Sequence, residues 1–169
     1  MNKRIRQYVG LLCAILVYYI VHEGAHLVYA LAIGAFKRIQ FMGLGMQIDV
    51  YAERMTEAQL GIFCLVGFIA TAAVAYGLIL GIGQIAKVKS KVLWACTYYV
   101  TIALLLIDPL YLSVLCGFFG GGDMNGIALL VPEVAARIFC GAVLIANGFL
   151  FVKLVLPKYQ RIFREAESD

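Results

Sequence analysis

The sequence predicts an all-α polytopic membrane protein of about four transmembrane helices, with a small β-hairpin at the membrane surface after the first. Three observations carry that prediction. The 169 residues are 63% hydrophobic and only 14% charged, whereas a soluble domain is nearer 45–50% and about 25%. Four apolar runs are each long enough to cross a bilayer. The basic residues gather at the ends of those runs. So few charges could not solvate the surface of a soluble domain. The net charge of +4 therefore reads as a topology signal and not as a nucleic-acid patch.

The expected spans are 8–34, 59–85, 92–119 and 134–156, in one membrane-embedded domain covering 1–169. The first follows Lys3, Arg4 and Arg6. It imitates a signal peptide but is about twice the length of an h-region, so it is expected to stay uncleaved. Between 35 and 59 two segments alternate with a period near two, Phe36 to Phe41 and Met46 to Tyr51, with Gly43 and Gly45 between them. They predict two short strands in a hairpin. The second span is rich in Gly and Ala, which lets helices approach closely in lipid. Lys87, Lys89 and Lys91 mark a basic turn. The third span contains Asp108-Pro109. The proline predicts a kink, and a carboxylate in lipid is expected to face protein or a water pocket. Gly120-Gly121-Gly122-Asp123-Met124-Asn125-Gly126 is a polar interruption. Pro132 and Glu133 open the fourth span, and Pro157 is expected to end it, leaving a short polar tail. Cys13, Cys64, Cys96, Cys116 and Cys140 lie scattered in apolar runs and read as small core residues. With four spans, both termini and the basic turn share one side, the cytoplasmic one by the positive-inside rule.

The chemistry sits in the first span. The chain has two histidines, and both belong to His22-Glu23-Gly24-Ala25-His26. Residues four apart share a helix face, so His22 and His26 can present two ring nitrogens to one metal ion. Glu23 lies about 100° round the helix from His22, close enough to hold a metal-bound water. Catalytic zinc takes three protein ligands and leaves one position open. The third must come from Asp49, Glu53, Glu57, Asp108, Asp123 or Glu133. Asp123 is the choice, because it lies in deformable backbone and Asn125 could orient it. Asp108 is the runner-up and Glu53 a weaker option; the plain alternative for Asp123 is a helix N-cap. His22 lies about 21 Å along the helix from Tyr8, and Asp123 follows a span ending on the same far side. The expected reaction is peptide hydrolysis, with Zn2+ polarising the carbonyl and Glu23 activating the zinc-bound water.

These residues resemble the site-2 protease family of intramembrane zinc metalloproteases. His22, Glu23 and His26 match its first motif outright. Asp123 matches its later Asp in role, although the chain reads Asp-Met-Asn-Gly where the family usually has Asp-Gly, and a glycine run replaces the proline-rich approach. Gly67-Phe68-Ile69-Ala70-Thr71 is similar to the family's Gly-x-x-Ala-Asn signature, with Thr for Asn. The hairpin is similar to family sheet that lies near the substrate path. The resemblance covers roughly residues 8–130. It implies a zinc endopeptidase that cleaves membrane-embedded protein substrates, often in regulated intramembrane proteolysis. The sequence as given carries none of the PDZ or CBS segments found in many members, so control would come from a membrane partner or from the substrate. The competing readings are a membrane metal-binding protein, or an inactive relative, without hydrolysis, and a structural or chaperone-like membrane subunit in which the motif is incidental.

Overall fold

The structure is a computed structural model and describes residues 2–43, 45–118 and 122–168. Four helical stretches are long and apolar enough to cross a membrane. They are compatible with a multi-pass membrane protein, as the hydropathy predicts.

Helix α1 (Lys3–Ala32) starts several residues earlier than expected because the Asn2 side chain accepts from the Arg4 N–H and caps it. It stops where Gly34 takes a positive φ of 69°. The predicted hairpin follows as β1 (Phe36–Met42) and β2 (Gly45–Val50), paired antiparallel with a register irregularity between Phe36 and Arg38. Lys37 and Arg38 both pair with Asp49 across it. Helix α2 (Glu57–Lys87) opens on a capping box made by Thr56 and Gln59. Helix α3 (Lys91–Ser113) is capped by Ser90 and runs unbroken through Pro109. It stops short of the expected end at 119, passing into a 3-10 turn at Leu115–Gly117. Phe119, Gly120 and Gly121 lie outside the described residues. A short helix, α4 (Asp123–Ile127), precedes α5 (Glu133–Leu150).

Pro157 does not end the last span. A π-helical turn at Phe151–Val155 leads into α6 (Leu156–Ser168), where Pro157 is the second residue. The wider turn takes up the carbonyl that a proline ring would otherwise meet, and a first-turn proline has no N–H to lose. The tail is therefore helical, with Tyr159 buried against the bundle.

Pro109 also removes a bond: its missing N–H would have been given to the Leu105 carbonyl. Asn147 of α5 donates its side-chain N–H to that carbonyl at 2.8 Å. Tyr76 of α2 in turn donates to the Asn147 side-chain oxygen at 2.7 Å. The turn at Pro109 thus becomes the point where α2, α3 and α5 are tied.

Helix α3 is central and packs on α1, α2 and α5. One apolar cluster, including Ala75, Ile82, Leu104 and Val155, fills the end of the bundle near the N-terminus. A second, including Ala30, Phe63, Leu112 and Met124, fills the end under the hairpin. Outward-facing residues in mid-span are large and apolar, among them Ile20, Leu80 and Ile145. The buried polar residues His22, His26, Thr71 and Asp108 lie on α1, α2 and α3.

Candidate metal centre

The four site residues expected from sequence come together in one cavity of about 510 Å³, bounded by α1, α3, β2 and the start of α4. His22 and His26 project one helical turn apart from α1. Their Nε2 atoms lie 3.1 Å from each other. Asp123 Oδ2 lies 3.2 Å from His22 Nε2 and 3.6 Å from His26 Nε2. Ligand atoms about 2.0–2.1 Å from one ion in a tetrahedral arrangement are about 3.3 Å apart, so these spacings suit a single ion. His22, His26 and Asp123 together could hold a metal ion.

The second ring nitrogens support the same reading. His26 Nδ1 lies 2.7 Å from the carbonyl oxygen of Phe63, which can only accept. Nδ1 therefore carries the proton, and in the neutral ring Nε2 is a bare electron pair. His22 Nδ1 lies 3.2 Å from Asp108 Oδ1, on a carboxylate that fixes the same tautomer. Two ring electron pairs and a carboxylate that face each other at these distances need positive charge among them, supplied by protons or by a cation.

Gly67 makes room for the cluster. A Cβ on it would come 2.6 Å from His26 Nε2 and 2.8 Å from His22 Nε2. One turn further along α2, Thr71 donates its hydroxyl to Asp108. Tyr18, one turn before His22 on α1, donates to the other Asp108 oxygen. Asp108 is thus a buried carboxylate with three donors around it, and it faces His22 Nδ1 and not the Nε2 atoms that converge on Asp123. Asp123 is the first residue of α4; its cap is Gly122, and no side-chain capping bond is present.

Glu23 lines the same cavity. Its Oε2 accepts from the backbone N–H of Ile48 in β2 at 3.2 Å, so the hairpin is stitched to the motif helix beside the ligand cluster. The other carboxylates considered from sequence lie elsewhere. Asp49 is paired in the hairpin, Glu53 sits in an exposed 3-10 turn, Glu57 is in the first turn of α2, and Glu133 pairs with Arg137.

The supporting roles of Tyr18 and the Phe63 carbonyl, and of Asp108 as an orienting group, go beyond the sequence reading. Only Tyr18 had a local signal, at four residues before His22. Gly67 and Thr71 were visible through the Gly-x-x-Ala-Thr resemblance, without their contacts. Scanned against models of known protein families the chain matches none, and no curated protein or solved structure matches it either.

Proposed function

We propose that this chain is an intramembrane zinc endopeptidase that hydrolyses peptide bonds of membrane-anchored protein substrates, in the manner of regulated intramembrane proteolysis. The observation that carries this reading is the convergence of His22, His26 and Asp123, with Glu23 beside them, on one cavity within helices long and apolar enough to span a membrane. Two imidazoles and one carboxylate are a donor set that suits Zn2+, and three protein ligands leave one position open, as in catalytic zinc sites. The ion, when bound, acidifies a water and polarises a peptide carbonyl.

The chain's own groups would do the rest. His22 and His26 offer Nε2 because Asp108 and the Phe63 carbonyl hold their Nδ1 protons. Glu23 accepts a proton from the attacking water and returns it to the leaving amine. β2, Gly45 to Ile48, walls the cavity on the hairpin side, where a substrate peptide would lie against it. The basic clusters at the opposite end of the bundle favour cytoplasmic termini.

The test is Glu23→Gln. It keeps the ligands, so metal content measured on purified protein stays at the parent level, while cleavage falls by about 10²-fold or more. Turnover at the parent rate would sink the mechanism and favour a membrane metal-binding protein without hydrolysis. The same variant, expressed in cells, is expected to accumulate uncut membrane substrates.

A further inference from the structure

A second cavity of about 500 Å³ lies at the other end of the bundle, among the start of α1, the start of α3 and α6. Lys3, Arg6 and Arg164 line it, with Gln160 and the rings of Tyr98 and Tyr99. No carboxylate lines it among the described residues, and none of the three cations makes an ion pair among them. Arg6 is instead held over the Phe163 ring, 5.1 Å from its centre, which fixes its charge at the cavity wall. Lys89 and Lys91 flank the other side of α6, beside Glu165, so cations outnumber carboxylates among the residues lining the two cavities at this end. His22 is about 24 Å further along α1 than Arg6.

The cavity does not stand alone. A groove of about 550 Å³ between α1 and α3 begins at Tyr99, which lines both. Its walls are almost wholly apolar, including Leu11, Ile15, Ile102 and Leu106, and it ends at Tyr18 and Tyr19. A cationic pocket at the mouth of an apolar channel, at the end of membrane-length helices, has the polarity pattern of one phospholipid.

We propose that this cavity binds the phosphate of an anionic phospholipid headgroup, with an acyl chain lying in the groove between α1 and α3. Lys3, Arg6 and Arg164 neutralise the phosphate, as basic pockets between membrane helices do. The groove supplies the hydrophobic contact that free phosphate lacks. The proposal does not rest on the protease reading, since it uses none of the metal-cluster residues.

The test compares thermal unfolding of the purified full chain in neutral detergent with added phosphatidylglycerol, phosphatidylcholine or inorganic phosphate. Phosphatidylglycerol is expected to raise the midpoint by about 5 °C near saturation, and the other two to do little. The double variant Lys3→Gln with Arg164→Gln, both exposed residues, should lose more than half of that shift. Arg161→Gln, which removes a cation paired with Glu165 outside the cavity, should keep it. An equal shift in the double variant, an equal shift with phosphatidylcholine, or no shift in the parent would overturn the proposal. A matching shift with inorganic phosphate would overturn the lipid assignment and leave an anion site.

Discussion

Gly67 contributes nothing but the absence of a side chain, and the two imidazoles occupy the room this leaves. Its substitution by alanine would set a methyl 2.6 to 2.8 Å from both Nε2 atoms. The Gly67→Ala protein is therefore expected to hold little metal, by elemental analysis, and to melt where the chelated parent melts, with no further fall when a chelator is added. Asp123 and Asp108 should separate in the same assay. Asp123→Ala removes a ligand and should abolish stoichiometric metal. Asp108→Ala leaves the ligands but frees the His22 ring, and a loss of about 10–100-fold in affinity is expected. The reverse order would make Asp108 the third ligand. His22, Glu23 and His26 were legible because their relationship is local, one turn of one helix. The orienting position of Asp108 was not, because no spacing rule distinguishes a carboxylate facing Nδ1 from one facing Nε2.

Among the elements, the apolar runs fixed the number of spans, but the proline sites depended on neighbours. From sequence Pro109 predicts a kink within the third span and Pro157 the end of the fourth. The first is absorbed because Asn147 takes the Leu105 carbonyl that the proline frees. The second is absorbed by the π turn before it. Neither remedy is visible locally: one comes from a different helix and the other from backbone register. A lone asparagine in an apolar span did offer a hint. Asn147→Leu strips a donor from Leu105 and an acceptor from Tyr76 at once. It is expected to cost about 1 kcal/mol, read as a fall of about 2–4 °C in thermal midpoint, with metal content unchanged. The hairpin was legible from its alternation and glycines. Its stitch to Glu23 through Ile48 was not, because a backbone donor has no sequence signature.

The whole molecule divides its surface by chemistry. The hairpin end holds the His22, His26 and Asp123 cluster, the flanks present Ile20, Leu80 and Ile145 outward, and cations line the cavity at the opposite end. The composition alone foretold a membrane protein, since that is a matter of bulk transfer free energy. It could not foretell that one groove runs from the basic end to Tyr18, the residue that holds Asp108.

The ligand cluster also has a mechanical meaning. His22 and Asp123 are 101 residues apart in the chain, and Asp123 stands at the head of a helix of only five residues. An ion shared between them would act as a cross-link that closes a very long loop, and the entropy of that closure would enter the folding equilibrium. Chelation should therefore lower the thermal midpoint by about 5–10 °C, and α4 should become the first point of attack in limited proteolysis. The Glu23→Gln protein should respond to a chelator in the same way, because the strap depends on the ligands and not on the base.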